Sequence, residues 1–232
     1  MLALGSVRNR ASVGLGHAKT SHRSEIPHEA EPDTGAKPRR GRRGRAETGY
    51  AERMSDAVLP LVGPLVTLRA PGAADLDPLV AILDEPEVSL WWVGYTPQRV
   101  QAEFIDAPDV TRIIEVEGQT AGAMFVLRGE DPEYPTTVMH LFIGTAFRGR
   151  RVGEEALALA IRSEFAEGVT RVTLDPNVNN AGAIRSYERL GFRRIGVLRD
   201  YQVRPGGALE DAMFLDLTRS DFPDGPPLPP RD

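Results

Sequence analysis

The residues of this chain that could do chemistry gather between His140 and Phe192. His140 is the one histidine after residue 53, and an imidazole exchanges a proton near neutral pH, which suits it to take one from an incoming amine. Asp175 offers a carboxylate that could attract a cationic amine and help remove its proton, and the Tyr187 phenol can donate a proton to a departing group. Between them lies FRGRRVG (Phe147 to Gly153), a basic, glycine-bearing loop that runs into a helix. The first amides of a helix have no intrahelical partner and sit at the positive end of its dipole, so phosphate is held there without any special side chain. Each of these residues also has a plainer use. An RGRR loop serves as a solvated turn, a helix tyrosine packs with its polar tip outward, a strand histidine can be inert, and an aspartate before Pro176 forms turns.

Those residues need elements to hold them. TTVMHLFIG (Thr136 to Gly144) reads as a buried strand carrying His140. VGEEALALAIRSEFAEG places Ala156, Leu159, Ala160 and Phe165 on one helical face and closes at Gly168. RVTLD is a short buried strand ending at Asp175, and NNAGAIRSYERLGF is a helix that ends at Gly191. Upstream, PLVTLRAP (Pro64 to Pro71) predicts a first strand and AADLDPLVAILDEPEV a helix ending near Pro86. TPQRVQAEFIDAP predicts a short helix with Thr96 as its cap and Pro97 in its first turn. TRIIEVEGQTAGAMFVLRG predicts a hairpin turning at Glu117 to Thr120, and RRIGVLRDYQV with LEDAMFLDLTR adds two final strands. The order β, α, α, β, β, β, α, β, α, β, β predicts an α+β domain around a mixed sheet.

A chain of 232 residues suits one domain with an appendage. Residues 1–55 are rich in Gly, Ser, His, Pro and Arg, include PRRGRRGR (Pro38 to Arg45) and lack periodic apolar positions, so they are expected to stay disordered. The domain is expected at 56–220, and residues 221–232 form a Pro-rich tail. Basic side chains outnumber acidic ones 11 to 6 over residues 1–53, but acidic outnumber basic 27 to 17 thereafter, a net −10. Such a domain suits a cationic small molecule rather than nucleic acid, although the tail alone could touch an anionic surface. A translation start at Met54 would remove that tail. The absence of cysteine excludes a disulfide framework, a thiolate metal site and a cysteine nucleophile. No apolar run approaches the ~20 residues of a membrane span, so a cytoplasmic protein without membrane contact is expected.

The element order and the paired motifs from Leu65 to Leu217 resemble the GCN5-related N-acetyltransferase (GNAT) superfamily. Arg148, Gly149, Arg150, Arg151, Val152 and Gly153 are similar to its R/Q-x-x-G-x-G/A loop, except that Arg151 stands where the family has its middle glycine. DPNVNNAGAIRSYERLGF resembles its N-x-x-A-x-x-x-Y-x-x-x-G-F segment, with Asn180, Ala183, Tyr187, Gly191 and Phe192 in place. The resemblance implies a mixed, mostly antiparallel sheet splayed between its fourth and fifth strands, with helices on both faces. It implies acetyl-CoA as cosubstrate and no metal. The pyrophosphate would lie on the amides of residues 148–153 and the pantetheine arm along Asn180 and Ala183. A backbone N–H among Leu141, Phe142 and Ile143 would meet the carbonyl oxygen, and Tyr187 would stand near the sulfur.

SLWWVGY (Ser89 to Tyr95), HLFIG, LDP and LEDAMFLDLTR further resemble the aminoglycoside 6'-N-acetyltransferases and the related acyltransferases of hydroxamate siderophores. In the first group aspartates at the positions of His140 and Asp175 receive ammonium groups, and here only Asp175 matches. The second group has histidine on that strand, as here, but an acid where Asn177 stands. The resemblance implies an acyltransferase that moves acetyl directly to a primary amine of a small, cationic, aminoglycoside-like acceptor. A siderophore precursor, a protein amine and a non-catalytic CoA-binding regulator are the alternatives. Tyr187, His140 and Asp175 would carry the chemistry. Trp91, Trp92, Asp175 and Asp211 would line the acceptor side, with Glu133 and Glu210 adding negative charge. A monomer or homodimer is expected.

Overall fold

A computed structural model of the chain describes residues 59–222; the expectations for residues 1–55 and for the Pro-rich end past Phe222 lie outside the described residues. Eight strands form one open sheet: β1 (Leu61–Val62), β2 (Thr67–Arg69), β3 (Thr111–Val116), β4 (Gln119–Arg128), β5 (Thr136–Ile143), β6 (Arg171–Leu174), β7 (Arg193–Val203) and β8 (Leu209–Thr218). Their spatial order is β1-β2-β3-β4-β5-β6-β8-β7. Every neighbouring pair is antiparallel except β5 and β6. The expected mixed α+β sheet is therefore present. The two-residue β1 precedes the first strand read from sequence, so the fourth and fifth predicted strands are β5 and β6.

Among the described residues five α-helices flank the sheet: α1 (Leu76–Leu83), α2 (Pro86–Ser89), α3 (Pro97–Val100), α4 (Val152–Ala166) and α5 (Ala181–Arg189). A π-helical turn, Gln101–Ile105, continues α3. The Thr96 hydroxyl accepts the Arg99 amide at 3.3 Å, as the cap reading required. Pro86 does not end a helix but opens α2, because a first-turn proline lacks only an N–H that has no partner there. Phe222, assigned by sequence to the tail, is buried with its ring 6.1 Å from that of Phe165.

Period-2 alternation divides β5 between two cores. Met139, Leu141 and Ile143 join the cluster under α4 and α5, while Val138 and Phe142 join the cluster under α1 to α3. Buried carboxylates fasten α4 to the sheet. Glu155 accepts the amides of Leu65 at 2.7 Å and Val66 at 3.0 Å, and Glu164 accepts Arg128 at 2.7 and 2.8 Å and the Thr137 hydroxyl at 2.8 Å. These bonds supply the donors that buried oxygens require.

The parallel join is short. β5 and β6 pair only from Thr136↔Arg171 to Val138↔Thr173. Beyond it β5 runs on through Ile143, while the chain after β6 turns to β8, where the Met213 amide donates to Pro176 O at 2.8 Å and the Val178 amide to Asp211 O at 3.1 Å. A gap between β5 and the end of β6 results, the splay that the resemblance implied. Among the described residues no helix is long and apolar enough to cross a membrane.

Candidate active site

The chain leaves β5 at Gly144 and reaches α4 through a loop that is pinned at its start. Glu85 accepts the Thr145 amide at 2.6 Å and also the Thr145 hydroxyl, and Arg148 Nε donates to Ile143 O at 3.1 Å. Gly149 then takes φ 75° and Arg151 φ 61°, ψ 15°, both left-handed. The arginine thus adopts the backbone of the glycine it replaces, at a cost of about 1–2 kcal/mol for its Cβ. Arg151 is the N-cap of α4 but makes no side-chain cap, and Glu155 is the first residue whose amide finds a helical acceptor, Arg151 O at 3.0 Å. The amides ahead of it are left to face an anion.

The gap shows which β5 amides are available. The Gly144 amide bonds Ala121 O on β4 at 2.9 Å. In an antiparallel ladder alternate residues turn to the same neighbour, so Phe142 and His140 also address β4, and Leu141 and Ile143 address the gap. Phe142, expected among the amides that meet the carbonyl oxygen, is spent on β4, and a Cβ on Gly122 would strike its carbonyl. Arg148 already occupies Ile143 O. The N–H groups of Leu141 and Ile143 both remain turned toward the opening.

His140 lies on the α1–α3 face of β5. Its Nδ1 is 3.2 Å from Asp175 Oδ1, and both side chains are nearly buried, 12% and 10% exposed. The Tyr201 hydroxyl donates to Asp175 Oδ2 at 2.5 Å. His140 Nε2 is closed to solvent and has no hydrogen-bond partner among the described residues. On α5, burial and then the negative charge of Asp175 push the Tyr187 phenol well above its ordinary pKa, so it stays protonated. Asp175 therefore acts on the imidazole directly and on the phenol through its field.

Other expected residues are used differently. Asn180 caps α5, its Oδ1 accepting the Ala183 amide at 3.1 Å, which leaves only its Nδ2 for a ligand. The tryptophans separate. Trp92 sits among Tyr95, Phe104, Phe125 and Phe142, nearest Phe142 at 4.9 Å between ring centroids, whereas half-buried Trp91 has no ring neighbour among the described residues. Trp92 is partly buried and packs against the aromatic core, a packing that Trp91 lacks. Asp211 accepts the Asp200 amide at 2.9 Å. Glu210 accepts Asn177 Nδ2 at 2.5 Å and lies 3.3 Å from Arg204 Nε, while Arg204 Nη2 donates to Leu90 O at 2.6 Å. Glu133 is exposed in the loop before β5, whereas His140 lies in the middle of that strand. Sequence reasoning missed Tyr201 and Arg204. The strand of Tyr201 was legible, but a bulge between Leu198 and Gln202 breaks the alternation that would have shown where it points, and Arg204 lies past the strand's end in the turn to β8. No group of three or more His, Cys, Asp or Glu that could hold a metal ion occurs among the described residues.

Residues 78–192 match the sequence profile of the Acetyltransferase (GNAT) family. The chain belongs to that family. It is similar to the N-alpha-acetyltransferase MAK3 of Arabidopsis thaliana, 30% identical over 86 residues that cover 37% of this chain and 45% of that protein. It is also similar to the [Ribosomal protein bS18]-alanine N-acetyltransferase of Haemophilus ducreyi, 26% identical over 81 residues, 35% of this chain and 56% of that one. This GNAT chain thus spans about half the length of the curated relatives it matches. Among solved structures, the aminoglycoside acetyltransferase AAC(6')-Ib with coenzyme A superposes with a TM-score of 0.56 at 24% identity, over 68% of this chain and 97% of that one, and so shares its fold.

Proposed function

We propose that the protein is an acetyl-CoA-dependent N-acetyltransferase that transfers acetyl directly to a primary amine of a small cationic acceptor of aminoglycoside type. The observation that most supports this is the pair of proton-handling groups around Asp175: an imidazole with an unengaged Nε2 and a phenol held protonated by burial. The α4 amides behind the left-handed Gly149 and Arg151 suit a pyrophosphate, and the gap suits a pantetheine arm. Acetyl-CoA supplies the acetyl group as a thioester. Everything else falls to the chain. His140 Nε2 takes the proton from the acceptor's amine, which is nucleophilic only when neutral. The N–H groups of Leu141 and Ile143, both turned to the gap, are there to meet the oxygen that gains negative charge. Tyr187 gives its hydroxyl proton to the departing sulfur and recovers one from solvent. The net −10 after residue 53 and the carboxylates of Asp175, Glu210 and Asp211 favour a cationic acceptor, with Trp91 as a flat wall.

A protein or peptide amine is the second reading, favoured by relatives named for N-alpha and ribosomal-protein alanine acetylation. The test is thiol release from acetyl-CoA with aminoglycosides, N6-hydroxylysine and short peptides as acceptors. Release with aminoglycosides is expected, and His140→Ala should lower the rate by roughly 10²–10⁴-fold. Release with peptides alone transfers the acceptor to the second reading, and no release with any amine overturns the activity.

A further inference from the structure

We infer that Tyr201 is a positioning residue for the base: its hydroxyl fixes the Asp175 carboxylate so that His140 carries its proton on Nδ1 and keeps the Nε2 lone pair for the acceptor. The inference deepens the function proposed above and rests on that reading for its kinetic arm alone.

The argument follows a chain of contacts. A neutral imidazole has one N–H and one lone pair, and an ionised carboxylate only accepts. With Nδ1 3.2 Å from Asp175 Oδ1, the proton belongs on Nδ1, and Nε2 is the acceptor, which is why it lacks a partner within the described residues. One contact would leave the carboxylate free to rotate about its Cβ–Cγ bond. The second, from the Tyr201 hydroxyl to Oδ2 at 2.5 Å, holds its plane. Removing that donor takes away the bond to Oδ2 and loosens the hold that keeps the imidazole in its Nδ1–H tautomer.

Tyr201 reaches Asp175 because β7 is bent there. The β7–β8 register shifts between Leu198 and Gln202, and Asp200 takes φ 53°, a left-handed conformation that aspartate tolerates better than most residues. Bulges of this kind re-aim side chains. The bend is held by Asp211, whose Oδ1 accepts the Asp200 amide at 2.9 Å. Asp211, expected from sequence to touch the acceptor, is thereby connected to the base through Asp200, Tyr201 and Asp175. Asp175 after β6 touches the imidazole and the Tyr201 hydroxyl of β7, its charge acts on the Tyr187 phenol of α5, and Asn177 nearby bonds Glu210 of the Glu210–Arg204 pair.

The test uses the full chain and two variants that keep side-chain shape, Tyr201→Phe and Asp175→Asn. In the ligand-free protein, the nitrogen-15 shifts of His140 should report the Nδ1–H tautomer, and Tyr201→Phe should give a mixture of tautomers in a protein whose circular dichroism is unchanged. In turnover, Tyr201→Phe should lower kcat about tenfold, the loss of one hydrogen bond to a charged group, with KM for acetyl-CoA unchanged. The loosened carboxylate keeps more of its charge, and that field needs no fixed plane to favour the imidazolium, so the acid limb of the pH–rate profile should move to higher pH. Asp175→Asn removes the charge and should move that limb the other way. A merely structural tyrosine would lower activity without moving the limb. An Nε2–H tautomer in the wild-type protein overturns the inference, as does a Tyr201→Phe variant with unchanged tautomer, kcat and limb. Absence of thiol release with every amine overturns the proposed function instead, and the tautomer measurement still decides the role of Tyr201.

Discussion

Tyr187 illustrates what burial does to a single residue and how that can be measured. Its phenol is raised above the ordinary value of 10.0, first by burial and then by the charge of Asp175. Below pH 10 the folded and unfolded chains both keep the proton and the stabilising difference is fully present. As pH rises past 10 the unfolded chain releases the proton first, so stability is lost in the alkaline range. The melting temperature of the wild-type protein should therefore fall more steeply above pH 10 than that of Tyr187→Phe, which thermal melts across that range would check. Equal slopes would show that the phenol titrates normally. At this scale the types were legible in the sequence and their contacts were not. His140, Asp175 and Tyr187 announce a base, an acid and a donor, but only folding brings Tyr201 to Asp175, because a bulge two strands away decides where that ring points.

The N-terminus of α4 carries the element-scale argument. Helix spacing, the Thr96 cap, the closing glycines Gly168 and Gly191 and the hairpin turn at Glu117 and Gly118 could all be read from sequence because each is a local rule acting on neighbouring residues. The two-residue β1 is too short to leave a pattern, and Pro86 is compatible with either ending or opening a helix. The place where β5 and β6 part was known only through the resemblance, since no spacing within either strand encodes it. Arg151 is where local rule and structure disagree, a left-handed backbone position that suits glycine but is occupied by arginine at φ 61°. Arg151→Gly should relieve that strain and, after allowance for the extra freedom of glycine in the unfolded chain, stabilise the protein by about 1 kcal/mol. For a domain of this size that corresponds to roughly 2–4 °C in melting temperature. Differential scanning calorimetry reads the shift. A lower melting temperature would mean that the guanidinium makes a stabilising contact worth more than the strain.

On the scale of the whole molecule the sheet is two antiparallel halves, β1 to β5 and β6 to β8, joined by a parallel contact of three register pairs. Both halves border the gap: Leu141, His140 and the α4 amides from one, Asp175, Tyr187 and Tyr201 from the chain that follows. A ligand seated there touches both and should act as a strap between them. All 17 basic residues after residue 53 are arginines, and the lysines are confined to Lys19 and Lys37, so the folded part offers no lysine amine for self-acetylation to confuse a binding measurement. Coenzyme A at 100 times its dissociation constant should stabilise the folded state by about 2.7 kcal/mol if it binds only that state. That amounts to roughly 5–10 °C in melting temperature at this chain length. Hydrogen exchange should slow in the same complex at Leu141 and at the amides from Gly149 to Glu154, which lack helical acceptors in the free protein. Protection at α4 without protection at Leu141 would place the pyrophosphate but leave the arm outside the gap. Protection confined to other segments, or none, would remove coenzyme A from the β5–β6 opening and with it the catalytic roles built around His140.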